Sequence, residues 1–160
     1  METILAGVGI VALTLWVGGM FGVFLSTPVL FRRLESREQA GAIAGEIIER
    51  VQRLGGPAGA VALLAAALRF GGAGRSGPAL ILRALPVALV LAAIALSMAN
   101  RMLVQERMRE IKEAIGGPID GLPREHPQRV RYNRAHGLSM LLFAAAFALA
   151  LIAIPMLALG

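Results

Sequence analysis

Residues 3–31 read TILAGVGIVALTLWVGGMFGVFLSTPVLF, 29 consecutive positions without a charged side chain, closed by Arg32-Arg33. A bilayer core of roughly 30 Å needs about 20 helical residues, so this stretch is long enough to cross one. Its apolar residues fall on every face. An edge-free barrel strand would alternate with period two over about ten residues, so the only spanning state it fits is a helix. The same reading applies at the other end of the chain, where the 26 residues after Arg134 carry no charge except that of His136 when protonated. Two shorter uncharged runs lie between, Leu54–Leu68 and Ala84–Asn100. The first is only roughly 22 Å long, but Arg53 and Arg69 flank it, and their aliphatic stems lie along lipid while the guanidinium groups reach water.

The expected fold class is therefore an all-α membrane protein. Four transmembrane helices over about 4–31, 56–70, 79–115 and 127–158 form one bundle in a single membrane domain, residues 1–160. Between the first two, Leu34, Ala40, Ile43, Ala44, Ile47, Ile48, Val51 and Leu54 recur at helical spacing, with glutamates and arginines on the other faces. This predicts an amphipathic helix over about 35–54 at the membrane surface or against its neighbour. Gly55-Gly56-Pro57 reads as its end and as the start of the second span. Gly71–Pro78 reads as a turn, and Gly116-Gly117-Pro118 as the stop of the third helix. Pro127 marks the first turn of the fourth helix. Pro28 is expected to kink or end the first. Trp16 falls at mid-span rather than at an interface, so it is expected to pack inward. Gly18 and Gly22 form a small-xxx-small pair suited to close helix approach.

Of the 16 Lys and Arg residues, 5 lie in the first connector, 3 in or beside the second and 8 in the third. The positive-inside rule then places the first and third connectors in the cytoplasm and both termini outside it, in a bacterial inner membrane. The lipid bilayer is the first partner, and a homo-oligomer or larger membrane complex the second. The net charge of +6 flanks membrane spans, so it indicates anchoring and orientation rather than nucleic-acid binding. The N-terminal run lacks a basic leader and exceeds a usual signal core, so it reads as a retained helix. With no cysteine, disulfide and thiolate chemistry are excluded.

Polar residues within or beside the spans are few. Asn100 and Arg101 close the third helix, His136 and Ser139 open the fourth, and Arg32 follows the first. All lie on the arginine-rich side and are expected to form a polar cluster there. No cofactor is required by this pattern. An alternative set is His136 with Met98, Met102 and Met140, whose four-residue spacings place pairs on single helix faces and whose donors suit Cu(I), or haem b through a His–Met pair. No G-x-S-x-G, H-E-x-x-H or Walker motif occurs, and no carboxylate lies in an apolar run. A non-enzymatic accessory, assembly or transport-associated subunit is the favoured reading. It would bind a partner or small solute at the cytoplasmic end of the bundle. Lipid-directed catalysis and autonomous transport are the others.

Several motifs carry a family resemblance across nearly the whole chain. These are Val29-Leu30-Phe31-Arg32-Arg33-Leu34, Gly41 and Gly45, Asn100-Arg101, and Arg134-Ala135-His136-Gly137-Leu138-Ser139-Met140. In this order and spacing they resemble the transmembrane protein 205-like family, also called domain of unknown function 4149. The resemblance implies a small four-helix membrane protein. Its animal members are associated with drug-resistance phenotypes and vesicle membranes. A more distant similarity to copper-resistance protein D and membrane protoporphyrinogen oxidases implies the metal or haem alternative. The chain departs from the family pattern at Phe143, where an Asn is usual, and around Ile47-Ile48-Glu49, where Leu-Phe-Pro is usual.

Overall fold

A computed structural model describes residues 1–71 and 78–159, with the side chains of 70, 71, 78, 79, 82 and 159 left aside. The elements are α1 (Glu2–Arg33), α2 (Arg37–Gly71), α3 (Pro78–Ala99), a π-helical segment (Asn100–Gln105), α4 (Glu106–Ile115), a 3-10 turn (Ile119–Gly121) and α5 (Pro127–Leu159). No strand occurs among the described residues. Four stretches are long and apolar enough to cross a membrane: Glu2–Arg33, Arg37–Arg69, Arg83–Ile115 and Pro127–Ala158. The all-α, four-span fold class is thus the observed one. The turn expected over residues 71–78 lies outside the described residues apart from its two ends.

The described residues group into two compact units, residues 1–94 with 147–160, and residues 95–146. In the first, α1 and α2 form a tight antiparallel hairpin. Leu34 turns the chain out of α1 in an extended conformation, and the Ser36 hydroxyl accepts the Gln39 N–H at 3.3 Å to start α2. That serine satisfies one of the donors left orphaned at any helix start. The pairing of the two helices is visible in their glycines. A Cβ built on Gly19 would lie 3.2 Å from Val51 Cγ1, and one on Gly9 would lie 3.4 Å from Ala65 Cβ. Between them Trp16 is 3% exposed and rests on Gly55 and Gly59. A Cβ on Gly55 would overlap the indole Nε1 and lie 2.8 Å from Cδ1.

That contact corrects the reading of Gly55-Gly56-Pro57. These residues do not separate an amphipathic helix from a second span. α2 is continuous from Arg37 to Gly71 with Pro57 inside it. Gly55, with Gly59 one turn on, serves the approach of Trp16, whereas a Cβ on Gly56 would meet nothing within 4 Å among the described residues. Proline is tolerated because its φ suits a helix and only one backbone donor is lost. Pro28 likewise does not end α1, which continues to Arg33. Trp16 does pack inward, with Leu13, Val17, Met20 and Val23, against the small residues Ala40, Ala44, Ala62, Ala65 and Ala66 of α2. Large side chains of one helix against glycine and alanine of the other let the backbones come close where no water is available to drive burial. Gly18 and Gly22 play no part in this packing; a Cβ on either would meet nothing within 4 Å among the described residues.

The second unit is built around the end of α3, the π segment, α4 and the first turns of α5. Gly116 ends α4 with φ +64, and its N–H reaches the Lys112 carbonyl at 3.2 Å. Only glycine adopts that left-handed turn without steric cost. The following loop is tied to α5 by Arg129, which donates to the Leu122 carbonyl at 2.5 Å and to Asp120 Oδ1 at 3.2 Å. His126 Nδ1 accepts the Gln128 N–H at 3.3 Å, and Pro127 occupies the first turn of α5 as its fixed φ predicts.

Candidate polar site

In the second unit the polar chemistry centres on Asn100. It is 1% exposed, the one fully buried polar residue among those described, and its Oδ1 has no hydrogen-bond partner. It opens the π segment, where the helical repeat lengthens locally for six residues. Such π-turns leave backbone groups incompletely matched and recur at functional positions. Val104, one turn on, is buried, as is Phe143 of α5. Arg101, next in the chain, is exposed.

The other residues of the expected cluster are more exposed. Lys112 sits over the Tyr132 ring at 5.5 Å, and Tyr132 stacks on His136 with ring centroids 6.2 Å apart and planes 3° from parallel. His136 is exposed and Ser139 half-buried. Arg32 is exposed and belongs to the first unit. Of the residues expected in the cluster, Asn100 is buried, while His136 stands in an exposed aromatic–imidazole stack.

The side chains of the copper or haem set are exposed. Met98, Met102 and Met140 are 55%, 65% and 42% exposed, and His136 is exposed with them. No group of three or more His, Cys, Asp or Glu side chains converges among the described residues.

The geometry can be set beside known proteins here. The family described as Domain of unknown function (DUF4149) matches residues 11–116. The chain belongs to this family. The matched segment holds the α1–α2 hairpin, α3, the π segment and α4, and stops before the Arg134–Met140 motif of α5. No curated protein and no solved structure matches the chain. In this DUF4149 protein the buried Asn100 and the Trp16–Gly55 contact both lie inside the matched segment.

Two features had not stood out in the sequence. Gln52 of α2 has both side-chain polar atoms buried without partners. Its signal was a polar residue beside Val51 and Gly55 on the apolar stripe of an otherwise amphipathic stretch. Arg69 and Arg83, read as flanking charges, turn inward: Arg69 Nη1 donates to the Leu157 carbonyl at 2.5 Å, and Arg83 Nη1 to the Arg69 carbonyl at 3.3 Å.

Proposed function

We propose that this DUF4149 protein is a non-enzymatic integral membrane subunit, an accessory or assembly factor or a transport-associated component. It engages a partner or a small solute through the Asn100 turn. The buried, unpartnered Asn100 Oδ1 carries this reading. An acceptor left unsatisfied in a buried place costs about 1–3 kcal/mol. A chain that keeps one holds it for a donor that arrives from elsewhere. The chemistry required is a single N–H or O–H, as on a partner's polar side chain or a hydroxyl- or amide-bearing solute. Among the described residues no nucleophile paired with a base stands beside it, which favours binding over catalysis. The first and third connectors, rich in arginine, are assigned to the cytoplasm, so the turn lies toward that side. Gly18 and Gly22 on the open face of α1 offer a place for a second copy or a larger complex. The narrower likeness to transmembrane protein 205-like members agrees with this small, site-poor architecture.

Asn100→Leu distinguishes this role from a structural one. A leucine of similar size removes the orphan acceptor, so the purified variant is expected to melt at the same temperature or a few degrees higher. A photo-crosslinking residue at Leu103, exposed on the π segment, is expected to give a discrete product in native membranes that disappears with Asn100→Leu. A lower melting temperature together with an unchanged crosslink would reject the assignment.

A further inference from the structure

We propose a phosphate-binding site at the end of the first unit away from the α1–α2 connector, formed by Arg69 and Arg83. Both line one cleft with Ala66, Pro86, Met156 and Leu157. Arg69 uses Nη1 on the Leu157 carbonyl, while its Nε is buried with no partner. Arg83 uses Nη1 on the Arg69 carbonyl at 3.3 Å and on Glu2 Oε1 at 3.4 Å, the long end of an ion pair.

Helix capping explains part of this arrangement. The carbonyls of Arg69 and Leu157 lie in the last turns of α2 and α5, and cationic side chains are favourable there. Capping accounts for one nitrogen of each guanidinium. It leaves the Nε of Arg69 without an acceptor and leaves two cations facing one carboxylate. No Asp or Glu occurs from Arg50 to Gln105 or after Glu125, so among the described residues Glu2 is the side-chain carboxylate that reaches these two cations. Guanidinium forks match phosphate oxygens in pairs, and an anion between the two arginines would meet both the charge and the orphan donor. The remaining lining is apolar. A phosphate carrying an acyl chain matches both parts in chemistry, with its headgroup at the mouth of the cleft beside the arginines and its chain along the apolar lining, as in basic pockets between helices that hold anionic lipid headgroups. Inorganic phosphate shares the headgroup chemistry and satisfies only the polar part. This site is independent of the Asn100 reading.

The test uses the full chain in detergent, stripped of lipid and offered phosphatidylglycerol, phosphatidylcholine or inorganic phosphate, with native mass spectrometry and melting temperature as readouts. Phosphatidylglycerol is expected to be retained over phosphatidylcholine, with affinity about tenfold weaker in Arg83→Gln, the effect of one lost charge-assisted contact. Arg69→Lys keeps the charge and the carbonyl cap but loses the fork, so it is expected to weaken retention while still folding. Arg50→Gln/Arg53→Gln, at the other end of the hairpin, is expected to retain the lipid as the wild type does. A melting shift with inorganic phosphate that Arg83→Gln abolishes would identify free phosphate as the source. Equal retention by wild type, Arg83→Gln and Arg69→Lys, or equal loss in Arg50→Gln/Arg53→Gln, would overturn the site.

Discussion

At the residue scale, two side-chain amides sit where a membrane protein can least tolerate them. Asn100 Oδ1 and both polar atoms of Gln52 are buried without partners. The amide at 100 had a visible signal, because it interrupts an apolar run. Its burial did not, because which face of a helix is covered depends on neighbours that the helix's own sequence does not name. Gln52 was hidden by its neighbours Arg50 and Arg53, which made the whole stretch look like a solvated surface. Their glutamate pairs explain the difference: Glu46–Arg50 and Glu49–Arg53, each at 2.6 Å, occupy the exposed faces and leave Gln52 to the inner one. If Gln52 has no partner in the isolated protein, Gln52→Met removes two unsatisfied groups at similar volume. Stability in detergent is expected to rise by about 1–2 kcal/mol. Thermal unfolding checks this, and a clear loss of stability would mean that the amide is hydrogen-bonded in solution.

At the element scale, Gly-x3-Gly occurs twice with opposite uses. Gly55 and Gly59 receive Trp16, whereas Gly18 and Gly22 face open space. The spacing is the same in both helices, so the pattern announces close approach without saying to what. Glycine followed by proline also carries the signature of a helix break, and at Gly55-Gly56-Pro57 that signature was the stronger one on paper. Packing overrode it, since the indole needs the missing Cβ more than the chain needs a turn. The stop at Gly116 was legible for the complementary reason, because nothing large packs against it and its positive φ is what glycine alone supplies cheaply. The π segment left no trace in composition, as one extra residue in a turn changes neither hydropathy nor period enough to be read. Gly55→Ala forces a Cβ into Trp16 and is expected to cost about 1–3 kcal/mol. Combined with Trp16→Leu, whose own cavity is costly, it is expected to cost less than the two changes added separately. A double-mutant cycle on melting curves checks this; strict additivity would mean that the helices separate at this point in solution.

At the scale of the whole molecule, four spans follow from the apolar runs, and their order forces an alternation that can be tested without any ligand. An even number of crossings puts both termini on one side and the first and third connectors together on the other. Arginine content then predicts which side is which, because translocating a cationic connector is disfavoured while carboxylates contribute little to the choice. The nine carboxylates that accompany the arginines in those two connectors therefore do not reverse the assignment. The chain has no cysteine, so single cysteines can be placed without a background. Thr3→Cys, Ser36→Cys and Gly117→Cys sample the N-terminal end and the two connectors. In spheroplasts, a membrane-impermeant maleimide is expected to label Thr3→Cys directly, and Ser36→Cys and Gly117→Cys only after permeabilisation. The reverse pattern would keep the four spans and invert the protein, moving the Asn100 turn to the outer face and the Arg69–Arg83 cleft to the inner leaflet. Labelling of Ser36→Cys and Gly117→Cys from opposite sides would remove one crossing between them. The continuous α2 would then be a surface helix, and the burial of Trp16 against Gly55 would need a different physical cause.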